Sequence, residues 1–150
     1  MTLDVRSAME MPMVELIPDL VQRTKKLINC DRASIFILSQ DKKELTTILA
    51  ENTEQIVVPV NTTTGTSSIA GECVKQGAPI NLKKAYDSPL FNQSIDRKTG
   101  YHTRSLLAMP IRKDGSDILS SEPAIGVVQC INKPLTLTLT LTLTLTLTLT

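Results

Sequence analysis

Apolar positions recur at helical spacing through Met13, Ile17, Leu20, Val21, Thr24, Leu27 and Ile28, which predicts an amphipathic helix. Arg23, Lys25 and Lys26 fall on its other face or in its last turn, where cations complement the helix dipole. Pro18 lies within the pattern, so either the helix kinks there or Pro18 occupies its first turn. The period then switches to two. Ala33 to Leu38 predicts a strand with Ser34, Phe36 and Leu38 on one face and Ile35 and Ile37 on the other. After the polar turn Gln40–Lys43, Leu45 to Ala50 reads as its hairpin partner, and Ile56 to Val60 as a third strand.

Asn61 to Gly65 is a loop of small polar residues. Ser67 or Ser68 can cap a helix from Ile69 to about Gln76, with Glu72 in its first turn and Gly77 as its stop. Pro79 to Leu82 is a short strand, followed by a long connection with no sustained period, from Asp87 to about Ser105. A connection of that length in a compact domain suggests a lid or a binding loop. Leu90, Phe91, Ile95 and Tyr101 let it pack against a core, while Asn92, Asp96, Thr99, Thr103 and Arg104 give it polar chemistry. Ser105 to Ile111 and Ala124 to Asn132 are the last strands, separated by a charged, Ser-rich loop from Lys113 to Pro123. From Leu135 to Thr150 the chain is a strict Leu-Thr alternation, a low-complexity tail with no assigned function. The organisation expected is an N-terminal extension (1–13), one domain (14–134) and the tail (135–150). Short hairpin connections predict a largely antiparallel sheet with helices packed on it, an α+β fold.

Composition narrows the function classes. The 41% hydrophobic and 21% charged content is that of a globular domain, and a net charge of +1 gives no general attraction to nucleic acid or anionic membrane. No apolar run is long enough to span a bilayer and residues 1–13 do not form a secretory signal. Cys30, Cys73 and Cys130 are odd in number and widely spaced, which suggests reduced thiols in the cytoplasm rather than a disulfide framework. His102 is the one histidine and no C-x-x-C spacing occurs, so neither a metal site nor a cofactor is expected, and no nucleophile–base pair is visible.

Asp31-Arg32-Ala33-Ser34-Ile35-Phe36, the helix start Ser68-Ile69-Ala70-Gly71, the lid with Phe91-Asn92, Ile95-Asp96 and Thr99-Gly100-Tyr101, Leu106 to Pro110, and the closing Gly126 to Lys133 together resemble a GAF domain. The resemblance is to the type found in cyclic-nucleotide phosphodiesterases and some adenylyl cyclases, and it covers about Val14 to Lys133. It implies a central antiparallel sheet of about six strands and a regulatory role, binding cGMP or cAMP or mediating dimerisation beside a catalytic domain. Asn132 and Lys133 match the start of a structural motif whose later Phe and Asp, the latter a partner for the lysine, should follow. The Leu-Thr repeat stands there instead, so the terminal helix and that ion pair are expected to be missing.

The resemblance implies a site in which the backbone amides at Ile69 and Ala70 meet the ligand phosphate, as a helix N-terminus suits an anion. Asn92, Asp96, Thr99 and Thr103 would supply lid contacts, and Ser34, Glu51 and Gln129 a floor. A carboxylate such as Glu51 accepts from both N–H groups on the guanine edge, whereas Gln129 suits adenine; the balance leans to cGMP. The site would be a purine-sized cavity roofed by the lid, its anion end near residue 69. Each residue also has a plain structural reading: an ordinary capped helix at Ser68, local turn caps at Asn92 and Asp96, a solvated Glu51. Two other functions remain open, a dimerisation or scaffold module and a thiol-based redox enzyme using Cys73 or Cys130.

Overall fold

The computed structural model describes residues 13–47, 56–61, 68–113 and 123–134. Glu51, the residues before Met13, most of the 61–65 and 113–123 loops and the repeat from Leu135 lie outside the described residues. The elements are α1 (Met13–Ile28), β1 (Arg32–Leu38), β2 (Glu44–Thr47), β3 (Val57–Pro59), α2 (Ile69–Gln76), β4 (Ile80–Leu82), a 3-10 turn (Ala85–Asp87), α3 (Ser94–Thr99), β5 (Leu106–Arg112) and β6 (Ala124–Ile131).

Six strands form one sheet in the order β3-β2-β1-β6-β5-β4, and every pairing is antiparallel. Alternation then sorts side chains onto two faces. Phe36, Leu45, Leu106, Ala108 and Val127 project to one face, where Ile69, Ala70 and Cys73 of α2 complete a buried cluster. Leu107, Met109 and Cys130 project to the other, against Ile28 at the end of α1. Burying each large apolar side chain contributes on the order of 1.5–3 kcal/mol. Gly126 lets the two central strands approach: a Cβ there would stand 2.4 Å from the Phe36 carbonyl oxygen.

α2 forms where its cap chemistry predicts. The Ser68 hydroxyl accepts from the Gly71 N–H at 3.0 Å, and Gly77, at φ 60°, closes the helix by donating to the Cys73 and Val74 carbonyls. Two details of α1 differ from the pattern. Pro18 sits inside the helix, past its first turn. Leu27 is 50% exposed, because it turns away from the sheet that buries its neighbour Ile28. The lid is ordered, as expected: the 3-10 turn leads into it and it contains α3, a helix that its lack of period did not predict.

Candidate functional site

The floor is built by strand register. Ser34 of β1 pairs with Gln129 of β6, which pairs on its other side with Ala108 of β5. All three lie on the face that carries Phe36 and Val127, the face covered by α2. Ile69 and Ala70, both buried, open α2 and pack in the same cluster. Their amides precede the helix ladder, whose first bond runs from the Glu72 N–H to the Ser68 carbonyl. Leu90 and Phe91 of the lid pack against this cluster too. Ala108, the start of α2 and the Leu90–Phe91 segment of the lid therefore share one cluster, with Ser34 and Gln129 on the same sheet face.

The lid is braced internally. Asp96, 7% exposed, accepts from the Thr103 N–H at 2.7 Å, the Thr103 hydroxyl at 2.9 Å and the Tyr86 hydroxyl at 2.9 Å. Burial pushes the Asp96 carboxyl up, but those three donors outweigh it and hold the group below its ordinary value. The Tyr86 ring lies 5.3 Å from Phe91 and 4.9 Å from His102, centroid to centroid. Asn92 and Thr99 are exposed and act locally: the Asn92 side-chain oxygen accepts from the Ser94 N–H at 2.9 Å, and the Thr99 hydroxyl from the Tyr101 N–H at 3.3 Å. Asp96 and Thr103 are thus brought together, while Asn92 and Thr99 stand apart on the rim.

At the foot of the lid Asn132 acts as a hub, with its backbone at φ 56°. Its side-chain amide donates to Asp31 at 3.0 Å, to the Tyr101 hydroxyl at 2.9 Å and to the His102 carbonyl at 3.1 Å. Its oxygen accepts from the N–H groups of Arg104 at 2.7 Å and Ser105 at 3.3 Å. The Tyr101 hydroxyl donates to Asp31 at 3.1 Å, and the Arg32 guanidinium lies 3.9 Å from the Tyr101 ring centroid. The bonds from Asn132 and Tyr101 hold the Asp31 carboxyl below its ordinary value. The sequence marked Asn132, placed Asp31, Arg32 and Tyr101 in motifs and gave Tyr101 a packing role, but it did not connect them, since no local spacing links them.

Lys133 is 4% exposed, and its ammonium has no hydrogen-bond partner among the described residues; burial pushes its pKa down. Cys73 is fully buried, and burial pushes its thiol up to about 12, a poor nucleophile. Among the described residues no group of His, Cys, Asp and Glu converges as metal ligands. A cavity of about 420 Å³ opens at the end of the sheet away from the lid's foot, lined by Leu38, Lys42, Val60, Gly77, Arg112 and Ala124 among others. Under the lid, Leu90 and Phe91 pack onto the core.

The GAF domain family model matches residues 12–144. The chain belongs to the GAF domain family. It is 35% identical to the dual 3',5'-cyclic-AMP and -GMP phosphodiesterase 11 of Drosophila melanogaster, over 76% of this GAF chain and 8% of that protein. The chain therefore spans less than a tenth of that relative's length. The GAF domain of the Acinetobacter phosphoenolpyruvate-protein phosphotransferase superposes with a TM-score of 0.67 at 14% identity, over 95% of this chain and 82% of that one. A free methionine-R-sulfoxide reductase from Neisseria meningitidis does so at 0.65 and 13% identity, over 96% and 80%. At such identities these structures establish a shared GAF fold. Among the described residues no helix is long and apolar enough to cross a membrane.

Proposed function

We propose that this GAF domain is a regulatory module that senses a cyclic nucleotide, with cGMP favoured over cAMP. The observation that carries this reading is the 35% identity to a relative named for both cyclic nucleotides. The geometry supports it: a polar Ser34–Gln129 pair lies on the sheet face that α2 covers, and the lid residues Leu90 and Phe91 pack on the same cluster as Ile69 and Ala70 at the capped helix start. In this reading the purine lies on the floor, with Glu51 as the partner for the guanine edge. The phosphate faces the amides, where oriented N–H groups suit an anion. Asn92, Asp96, Thr99 and Thr103 contribute from the lid, which requires the Leu90–Phe91 segment to lift when ligand enters.

The module itself catalyses nothing. It acts on a neighbouring catalytic domain, in a cytoplasmic phosphodiesterase or cyclase-like signalling protein, with homodimerisation through α1 as a further contact. Ligand shifts that domain only as far as its affinity differs between two states of the module. Titration calorimetry of the purified chain with cGMP and cAMP tests the proposal. Saturable heat, stronger for cGMP, is expected; no heat and no thermal shift at millimolar ligand would refute it.

A further inference from the structure

On the sheet face opposite the proposed ligand site, two thiols meet. Cys30 lies in the turn after α1 and Cys130 near the end of β6, yet both belong to one small buried cluster with Ile28, Leu107 and Met109. The backbone explains the meeting. Cys130 pairs with Ala33 across the central strands, and the Asp31 N–H extends that ladder by donating to the Ile131 carbonyl at 3.0 Å. The Cys30 N–H meanwhile donates to the Lys25 carbonyl at 3.2 Å, which folds the turn back over the sheet.

The two thiols share that cluster of buried residues, and Cys30 is the less buried of the pair. Each perturbs the other, which lowers the pKa of Cys30 and, together with burial, raises that of Cys130. Exposure makes Cys30 the thiol that meets an oxidant first, with Cys130 beside it in the cluster as the resolving partner. Cys30 is 8% exposed, between the exposed residues Asn29 and Asp31, so only a small oxidant is suited to reach it.

We propose that Cys30 and Cys130 form an oxidisable pair that closes into an intrachain disulfide under hydrogen peroxide. The Cys30 thiolate attacks one peroxide oxygen and the O–O bond breaks; the departing hydroxide takes a proton and leaves as water. Cys30 is then a sulfenic acid. The Cys130 sulfur attacks the Cys30 sulfur, the S–S bond forms and the S–O bond breaks. The hydroxide released takes the Cys130 proton as a second water. Two electrons pass from the sulfurs to the peroxide, so two thiols and one peroxide give one disulfide and two waters. The crosslink ties the end of α1 to β6 two residues before Asn132, next to the lid's foot.

The test is hydrogen peroxide treatment of the full chain, followed by alkylation, mass measurement and peptide mapping. Of three alkylatable thiols, one is expected to remain, with a linked peptide joining Cys30 to Cys130. The bond closes a loop of about 100 residues, so the thermal midpoint should rise by roughly 10 °C and fall back under reductant. Cys73→Ala should behave as the native chain. In Cys130→Ala a sulfenic acid on Cys30 should be captured by dimedone. If that variant does not fold, mapping of the native chain decides alone. Three thiols still free after peroxide, a bridge involving Cys73, or bridges only between chains would overturn the proposal, and none of these outcomes bears on cyclic-nucleotide binding.

Discussion

Asp31 and Asn132 stand 101 positions apart in the chain and 3.0 Å apart in space. That bond joins the start of β1 to the end of β6, and Asn132 uses its other contacts to hold the last residues of the lid. The centre of the sheet and the foot of the lid are therefore one structural unit.

Removing the hub should be costly. Asn132→Ala deletes five side-chain hydrogen bonds and leaves the Ser105 N–H, a buried donor, without its partner. A loss of about 3 kcal/mol is expected in urea unfolding. Asn132→Gly tolerates the positive φ but lacks the amide, so it should be destabilised nearly as much. If it matched the native chain, the backbone conformation rather than the amide would be what matters.

Asp96 should make stability depend on acid. Its folded pKa is lowered from 3.8, so its stabilisation is complete well above that value and is lost as pH falls through the lower folded value. Asp31 acts with the same sign. Denaturation midpoints measured from neutral pH downward should fall in that acid range. Asp96→Asn should flatten part of the slope and cost about 1–3 kcal/mol at neutral pH, because the buried Thr103 donors lose a full acceptor. An unchanged slope would show that Asp96 does not couple to folding.

The floor pair should govern affinity without governing folding. Ser34 and Gln129 are only partly buried and face the same side. Gln129→Ala should weaken cyclic-nucleotide binding about tenfold, equal to about 1.4 kcal/mol, with a thermal midpoint close to native. Calorimetry on both proteins measures it. Equal affinities would remove Gln129 from the site.

Gly126 offers a purely steric test. A methyl group there meets the Phe36 carbonyl oxygen at 2.4 Å, and both partners are central backbone that cannot step aside. Gly126→Ala should cost roughly 1–3 kcal/mol in thermal or urea unfolding.

Lys133 should give the opposite sign. A buried ammonium without a hydrogen-bond partner among the described residues carries a desolvation cost that none of those residues offsets by a hydrogen bond. Lys133→Met keeps the stem and removes the charge, and should stabilise the chain by about 1 kcal/mol or more. Destabilisation instead would reveal an acidic partner for the ammonium.

The parts of this structure legible in the sequence are those written locally. α2 could be read because Ser68, Glu72 and Gly77 encode its start and stop within one short stretch. β1 could be read from alternation, β5 from the apolar run Leu106–Met109 and β6 from its Ile and Val residues, and their faces follow from parity. α3 was missed because its six residues, Ser94–Thr99, are too few to show a period and only Ile95 among them is apolar. The link between Asp31, Tyr101 and Asn132 spans 70 and 101 positions, and no local pattern specifies such a contact. The large cavity's position depends on how the ends of α2, β1 and β5 leave space, which is a property of packing rather than of spacing.

The positive φ of Asn132 has a mechanical consequence. It turns the backbone out of the sheet at the point where the lid is moored, so any chain beyond Lys133 is hitched to the same mooring. A ligand that raised or lowered the lid would tug on that tether directly, with no need to deform the sheet in between.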